Sequence, residues 1–171
     1  MLRVNECTVC LKVLISDRLM ICICTCAPQM GRSAEEKTCF WDQMLNVTGS
    51  IPASELIVVG GDLSGDVGTT VDGYGGVHGG YSFGERNADG ERLLEFCDAM
   101  ELIVTNTGFK RQKNELATYV SGDTVSAIDY LLLRGCDRRL IKNVKVIAKM
   151  EKSVYHSIGY LLVMSSLVLH Q

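Results

Sequence analysis

Short runs of apolar, β-branched residues dominate the first third of the chain. The runs 8–15 and 19–27 are separated by a short polar turn, which predicts two adjacent strands. A third run, 56–59, lacks polar alternation, which is typical of a strand covered on both faces. It stops at a glycine pair, which allows a close backbone approach or unusual dihedral angles, and Asp62 follows. A strand end can hold an acid rigidly for metal binding or general-base chemistry, and the alternative is an aspartate that caps its own turn.

Two segments have the pattern of amphipathic helices. Ser33 and Glu36 form a capping box before apolar residues that recur on one helical face. Asn87 is placed to cap a second helix over 88–101. A strand is predicted to follow directly, beginning at Leu102. The chain therefore alternates strands and helices in its first two thirds.

A glycine-rich segment spans residues 68–90 and carries eight glycines together with Tyr74, His78 and Phe83. Its composition is too rich in glycine for regular structure and too aromatic for a simple linker, which favours a long ordered loop with a function. The alternative is a glycine-hinged surface loop whose aromatic residues cover the core.

The second half contains an acid in an apolar setting. Runs 118–120 and 128–133 flank a turn and predict two neighbouring strands. Asp129 lies inside the second run, where an uncompensated carboxylate would be costly, so we expect it to have a partner or a metal. Residues 134–152 are basic, which indicates either a solvated face or a phosphate contact. A last strand is predicted at 161–164.

Composition places few limits on function. At 171 residues, with 47% hydrophobic and 22% charged residues, the chain is expected to form a single domain over 1–171. The net charge of −3 provides no global attraction to nucleic acid. No apolar run approaches the length of a membrane span, so we expect no membrane partner. The oligomeric state is left open.

Eight cysteines raise the question of disulfides or zinc. The chain starts with polar and charged residues where a signal peptide needs an apolar core, so we expect an intracellular protein with reduced thiols. The pair Cys7-x-x-Cys10 with Cys22, Cys24 and Cys26 could form a zinc site, but no second Cys-x-x-Cys or histidine pair completes it. Small buried side chains on strands are the simpler interpretation.

Several motifs occur in an order that resembles a known family. A strand ends in Gly-Asp-x-Ser at 61–64, Ser-x-Ile-Asp-Tyr follows at 126–130, and His156 precedes the final apolar run. The segments 26–29, 73–80, 83–87 and 89–92 add further similarity. Together they resemble the endonuclease/exonuclease/phosphatase superfamily, and within it the branch of craniofacial development protein 2 and the endonuclease domains of non-LTR retrotransposons.

The resemblance implies an α/β (α+β) fold, a four-layer αββα sandwich that is incomplete at its N-terminus. It also implies hydrolysis of phosphodiester bonds, usually in DNA, with Mg²⁺ or Mn²⁺ and no small-molecule cofactor. Asp62, Asp129 and His156 match catalytic residues of the family, and Asp62 would also bind the metal. Ser64, His78 and Asn87 are candidates for substrate binding. A nuclear location would suit a DNA substrate.

The departures from the family pattern leave two hypotheses. The family's metal-binding glutamate has no counterpart in this chain, and Cys26 and Ser64 replace a tyrosine and an asparagine that help to bind phosphate. The first hypothesis is a truncated phosphodiesterase domain with a weakly bound metal and weak or no activity alone. The second is a non-catalytic, retrotransposon-derived remnant that acts as a binding or scaffold module, or a degenerate gene product.

Overall fold

A computed structural model describes residues 2–15, 17–121, 124–147 and 159–164. Ten strands are described, in chain order: β1 Leu2–Arg3, β2 Thr8–Ile15, β3 Arg18–Cys26, β4 Leu56–Asp62, β5 Leu102–Val104, β6 Tyr119–Ser121, β7 Thr124–Ser126, β8 Asp129–Arg134, β9 Ile141–Ile147 and β10 Gly159–Met164. The helices are α1 Ala34–Gly49, α2 Ala88–Ala99 and α3 Lys113–Leu116, with 3₁₀ turns at Thr105–Gly108 and Gly135–Leu140.

A six-stranded sheet organises the molecule, with strand order β1-β2-β3-β4-β8-β5. Strands β3 and β4 are parallel, and the other neighbours are antiparallel. Two two-stranded ribbons, β6-β7 and β9-β10, complete the described strands. The strands predicted at 8–15, 19–27 and 56–62 are confirmed. The mixed α/β architecture that the resemblance implies is confirmed as well.

Both predicted helices begin where their caps were expected. Ser33 Oγ accepts a hydrogen bond from the Glu36 amide at 3.2 Å, and a Glu36 carboxylate oxygen accepts one from the Ser33 amide at 3.0 Å. Asn87 Oδ1 accepts a hydrogen bond from the Gly90 amide at 2.8 Å. Both helices contribute to one core with the main sheet; its buried residues include Ile21, Ile23, Phe40, Met44, Ile57, Val59, Leu93, Leu94, Cys97 and Leu132.

The glycine pair before Asp62 allows β4 to lie close to its neighbour. Gly61 has a φ of 145°, and a Cβ atom on this residue would lie 1.8 Å from the Thr25 carbonyl oxygen. Only glycine fits such a conformation and spacing. The sequence signal of a close backbone approach at this position is therefore confirmed, and it fixes where β4 delivers Asp62.

The strands after residue 117 pair differently from the prediction. The run 118–120 does not pair with 128–133; β6 pairs with β7 in a short hairpin, and β8 joins the main sheet between β4 and β5. The reason is burial, because four consecutive residues of β8, Tyr130 to Leu133, are buried. A strand that is apolar on both faces requires a central position. Asp129 is the first residue of β8, and it is half-buried.

The first part of the basic segment, residues 134–140, lies at the far end of β8 from Asp129. The 3₁₀ turn Gly135–Leu140 follows the last residue of β8, whereas Asp129 is its first residue. Six residues of strand separate the two ends by about 17–20 Å. Arg138 and Arg139 are exposed, and Asp137 forms an ion pair with Arg18 at 2.7 Å. This part of the basic segment is therefore a solvated surface at the opposite end of the strand. Across the described ranges, no helix has the length and apolar character needed to cross a bilayer.

Candidate functional site

Strand register places two carboxylates side by side. Asp62, the last residue of β4, lies opposite Asp129, the first residue of β8. Cys26, the last residue of β3, lies opposite Asp62 on the other side. Residues that are directly opposed in a sheet project from the same face. We refer to Cys26, Asp62 and Asp129 as the strand-end row. The sequence named both acids as site residues, and the structure brings them together although 67 positions separate them (129 − 62).

Asp62 both caps a turn and keeps an oxygen available. Its Oδ1 accepts a hydrogen bond from the Ser64 amide at 2.9 Å and lies 3.2 Å from Ser64 Oγ. Ser64 Oγ is also 3.3 Å from the Ala27 carbonyl oxygen, so these two acceptors share one hydroxyl proton. The turn-capping interpretation is therefore realised. Among the described residues, Asp62 Oδ2 has no hydrogen bond, which leaves it able to bind a cation or orient a water.

Ser64 adopts an unusual backbone conformation. Its φ is 52°, in the left-handed region that few residues other than glycine adopt, and asparagine is several-fold enriched there. Its side chain is buried against the turn that it closes with Asp62. The position thus suits the asparagine that the family carries, and serine fills it with a shorter donor. Its role in substrate binding stays a prediction.

Asp129 is positioned by Thr118, a residue that sequence reasoning passed over. Thr118 Oγ1 accepts hydrogen bonds from the amides of Ile128 and Asp129 at 2.9 and 3.1 Å. The Leu63 amide donates to the Ile128 carbonyl at 2.8 Å, which links the segment after β4 to the segment before β8. The two acids therefore sit on backbones that are bonded to each other. No sequence signal marked Thr118, because a lone threonine before a strand has many uses.

The strand-end row is electronegative. Partial burial of the thiol raises the pKa of Cys26, and the charges of Asp62, Cys7 and Asp129 raise it further. Cys26 is thus a neutral thiol at pH 7, where the two acids supply negative charge. Two adjacent carboxylates repel each other unless a cation or proton lies between them. The row is therefore a place where positive charge is favoured.

Tyr130 fixes the loop that follows Asp62. Its hydroxyl lies within hydrogen-bond reach of the Gly65 carbonyl, at 2.9 Å, and of the Ala127 carbonyl. It also lies 3.4 Å from the Val67 amide, from which it accepts. Burial raises the pKa of Tyr130, so the hydroxyl stays protonated as a donor. In the sequence, Tyr130 is part of a motif. In the structure, its hydroxyl holds the loop that follows Asp62.

His78 is used within the glycine-rich loop, which in the structure ends at Asn87. His78 is 2% exposed, and its Nδ1 accepts a hydrogen bond from the Gly80 amide at 2.7 Å. The proton therefore lies on Nε2, which donates to the Gly68 carbonyl at 2.9 Å. Burial lowers the pKa of His78, aided by the charge of Arg86 and opposed by the Gly68 hydrogen bond. These contacts favour the alternative of a loop that covers the core, and substrate binding by His78 stays a prediction.

Asn87 joins the loop to the second helix. Besides capping α2, its Oδ1 accepts from the Asp66 amide at 3.2 Å, and its Nδ2 donates to Asp66 Oδ2 at 3.1 Å. Burial raises the pKa of Asp66. The candidate substrate-binding side chain is thus engaged with its own chain. Its role toward a substrate stays a prediction.

Arg86 is the centre of a network that the sequence did not reveal. Its guanidinium lies 4.9 Å from the centre of the Tyr74 ring and 3.0 Å from a Glu91 carboxylate oxygen. It also donates to the Thr70 carbonyl at 2.8 Å. Desolvation and the Glu91 hydrogen bond raise the pKa of Tyr74 to about 12. These residues belong to the segments that carry the family resemblance, and their observed contacts hold the loop in shape.

Two further predictions concern metals and His156. His156 lies outside the described residues, so its predicted contact with Asp129 stays a prediction. All eight cysteines are free thiols. Within the described ranges, no group of three or more His, Cys, Asp or Glu side chains could hold a metal ion. The zinc alternative at the first cysteines therefore gains no support. The interpretation of these cysteines as small buried strand residues holds for Cys10 and is wrong for Cys7, Cys24 and Cys26, which are exposed, while Cys22 is half-buried.

Known structures share this fold. The endonuclease domain of TRAS1, a telomere-specific non-LTR retrotransposon, superposes with a TM-score of 0.63 at 13% identity over 92% of this chain and 63% of that one. An endonuclease/exonuclease/phosphatase family protein from Leptotrichia buccalis C-1013-b gives a TM-score of 0.59 at 14% identity, over 92% and 52%. The fold is therefore that of the endonuclease/exonuclease/phosphatase class, as the resemblance implied.

Two curated sequences match part of this chain. The chain is 29% identical over 108 residues to craniofacial development protein 2 of Bos taurus, and 27% identical over 108 residues to the same protein of Tragulus javanicus. The match covers 62% of this chain and 18% of each relative, so the chain corresponds to under a fifth of their length. No family model matches the sequence. The resemblance to the craniofacial development protein 2 branch is confirmed.

Proposed function

We propose that this chain is a phosphodiesterase domain of the DNA endonuclease type, with Asp62 and Asp129 as its acids. One observation carries the proposal: β4 and β8 place these two carboxylates opposite each other at one rim of a sheet with this fold. Paired acids at a rigid strand end are suited to phosphoryl chemistry, because they can hold a cation and orient a nucleophile with little reorganisation.

The proposed roles follow from the contacts of each group. Asp62 Oδ2 orients or deprotonates the attacking water, since Oδ1 is engaged by Ser64. Ser64 Oγ lies 3.2 Å from Asp62 Oδ1 and donates to a phosphate oxygen in place of its contacts with Asp62 and the Ala27 carbonyl. Asp129 holds His156 in one tautomer and favours its protonated form, which contacts the scissile phosphate.

The donors of the row fit Mg²⁺ or Mn²⁺ in chemistry and fall short in number. Both ions prefer oxygen ligands and commonly bind through one or two carboxylates while keeping several waters. Asp62 supplies such oxygens, and Asp129 adds negative charge beside it in the sheet. When bound, the ion neutralises charge that develops on the phosphate. A single carboxylate ligand leaves a strongly hydrated ion mostly to its waters. We therefore propose weak metal binding and weak activity for this chain alone, and a nuclear location for a DNA substrate.

A second candidate function is binding without cleavage. The exposed arginines of the 3₁₀ turn Gly135–Leu140 lie at the end of β8 opposite Asp129. These arginines lie about one strand length from the strand-end row, so a backbone bound at them does not by itself involve the acids. The alternative is therefore a non-catalytic module that binds nucleic acid. The two functions differ in whether replacing the acids of the row abolishes an activity.

Nicking of supercoiled plasmid tests the proposal. We expect slow nicking that requires Mg²⁺ or Mn²⁺ and is lowered at least about 100-fold by Asp62→Asn. The amide oxygen of asparagine can still accept from Ser64, so the turn is kept. Asp42→Asn is the matched control, because it removes the same charge from an exposed position of α1. Nicking that survives Asp62→Asn would contradict the proposal, and nucleic-acid binding with no metal-dependent nicking would favour the alternative.

A further inference from the structure

Two cysteines face each other where strands β2 and β3 end. Thr8 lies opposite Thr25, and their hydroxyl oxygens are 2.8 Å apart. The next pair outward in this register is Cys7 and Cys26, and the Cys26 amide donates to the Cys7 carbonyl at 3.0 Å. Both cysteines are exposed free thiols. The pair therefore continues the antiparallel register by one more step.

No other cysteine has a cysteine opposite it. In the same pair of strands, Cys10 lies opposite Ile23, Cys22 opposite Leu11 and Cys24 opposite Val9. Cys22 and Cys24 are two residues apart on one extended strand, where a direct bond would require the backbone to bend. The other three, Cys39, Cys97 and Cys136, lie on α1, α2 and a 3₁₀ turn. Register alone thus selects one pair out of the eight thiols.

The cross-strand position suits a disulfide. Directly opposed residues of an antiparallel pair have Cα atoms about 4.5–5.5 Å apart, and disulfides join Cα atoms about 4.4–6.8 Å apart. The Cys7 amide donates to Asn5 Oδ1 at 2.8 Å, which anchors the backbone just before β2. Hence neither strand has to move far for the two sulfur atoms to meet.

We propose that Cys7 and Cys26 are a modification site: a thiol pair that a hydroperoxide oxidises to a reversible disulfide. One thiolate attacks a peroxide oxygen, the O–O bond breaks, and a sulfenic acid and hydroxide form. Cys26, which is neutral at pH 7, gives up its proton as its sulfur attacks the sulfenic sulfur, the S–S bond forms, and a second hydroxide leaves. The two thiol protons convert both hydroxides to water. Two thiols lose two electrons, and one hydrogen peroxide is reduced to two waters.

The bond would form next to the acids of the strand-end row. Cys26 is the row's own thiol, directly beside Asp62 in the register. Joining it to Cys7 ties the end of β3 to the start of β2 and closes a loop of about 20 residues, which restricts the unfolded chain. The proposal does not depend on hydrolysis, because the disulfide is a property of the two thiols.

Peptide mapping of the oxidised full chain tests this. The reduced protein is treated with hydrogen peroxide at low protein concentration, alkylated and digested with trypsin without reduction. Cleavage after Arg3, Lys12, Arg18 and Arg32 leaves Cys7 and Cys10 in one peptide, and Cys22, Cys24 and Cys26 in another. We expect these two peptides to be joined with the loss of two hydrogen atoms, and to separate after treatment with dithiothreitol.

Serine variants identify the sulfur atoms. The joined peptides should disappear in Cys7→Ser and in Cys26→Ser, and should persist in Cys10→Ser and Cys24→Ser. Oxidation should raise the melting temperature of the parent chain by several degrees and leave that of Cys7→Ser unchanged. Joined peptides that persist in Cys7→Ser or Cys26→Ser would overturn the proposal. A disulfide found only between two chains, or no disulfide while the thiols are overoxidised, would overturn it as well.

Discussion

The strand-end row and the glycine-rich loop differ in how their polar side chains are used. In the loop, His78 has both ring nitrogens engaged by backbone groups, and Arg86 contacts a ring, a carboxylate and several carbonyls. In the row, Asp62 keeps one oxygen without a hydrogen bond among the described residues. The comparison teaches that a histidine in an unusual, aromatic loop is a weaker sign of a site than an acid at a strand end. Polar groups whose hydrogen bonds are all made within the loop stabilise its structure, whereas the second oxygen of Asp62 is available to bind a cation or a water.

The largest expected difference between the two regions concerns glycine. Gly61→Ala should lower the free energy of unfolding by at least about 3 kcal/mol, because the added Cβ meets the Thr25 carbonyl and φ lies in a region reserved for glycine. Gly75→Ala in the loop is the matched control, since nothing lies within 4 Å of its Cβ. We expect it to change stability by under about 0.5 kcal/mol. Urea denaturation measures the free energy of unfolding of both variants. Equal losses of stability would contradict a tightly packed strand end at Gly61 beside an open loop at Gly75.

Arg86 should be the main stabilising residue of the loop. Arg86→Met keeps much of its apolar length and removes its charge-assisted bonds to Glu91 and the Thr70 carbonyl. We expect a loss of about 2 kcal/mol, because several polar groups lose their partner at once. Arg32→Met is the control, since its ion pair with Glu36 is exposed on both sides, and exposed pairs contribute little. If Arg86→Met leaves stability unchanged, the loop is not held by this network.

The buried imidazole predicts a pH dependence of stability. The folded state lowers the pKa of His78 from its usual 6.5, mainly by burial, so the unfolded chain binds a proton more readily. The stability that neutral His78 provides is therefore complete above about pH 6.5. It is lost as the pH falls through that value toward the lower pKa of the folded state.

His78→Gln isolates this contribution. Urea denaturation at several pH values between 5 and 8 should show a smaller loss of stability on acidification in the variant than in the parent chain. The variant can be less stable at every pH, because the comparison concerns the slope. If stability depends on pH in the same way in both proteins, His78 is solvated enough to titrate normally. The loop would then hold a solvent-facing histidine, and the buried contacts would not describe it.

The sequence predicted local features of the fold better than features that depend on long-range strand pairing. The helix caps at Ser33 and Asn87 and the glycine at 61 are local signals, and the structure confirms them. The position of Asp129 depended on long-range pairing: the run 128–133 was expected beside 118–120, and its burial on both faces placed it in the main sheet. Thr118 could not be identified as its positioning residue, because that contact depends on β6 pairing with β7 while β8 pairs in the main sheet.

The glycine-rich loop shows a second limit. Composition indicated an ordered loop, which the structure confirms in residues 68–87, but it could not show what the order serves. The pairing of Arg86 with Tyr74 and Glu91 depends on how the loop folds back on α2, and no periodicity encodes that. The resemblance to a family marked these residues without distinguishing a structural role from a catalytic one.

NMR mapping of a bound metal ion tests whether the strand-end row is the metal site, and it does not require turnover. Mn²⁺ is titrated at substoichiometric amounts into the ¹⁵N-labelled chain, and the broadening of each amide signal is measured. We expect the amides at 26–27, 62–64 and 129 to broaden at the lowest Mn²⁺ concentrations and those at 74–80 and 86–87 to broaden later, and we expect Asp62→Asn to remove the effect. Broadening centred on the glycine-rich loop, or unchanged by Asp62→Asn, would contradict the assignment of the site to the strand-end row.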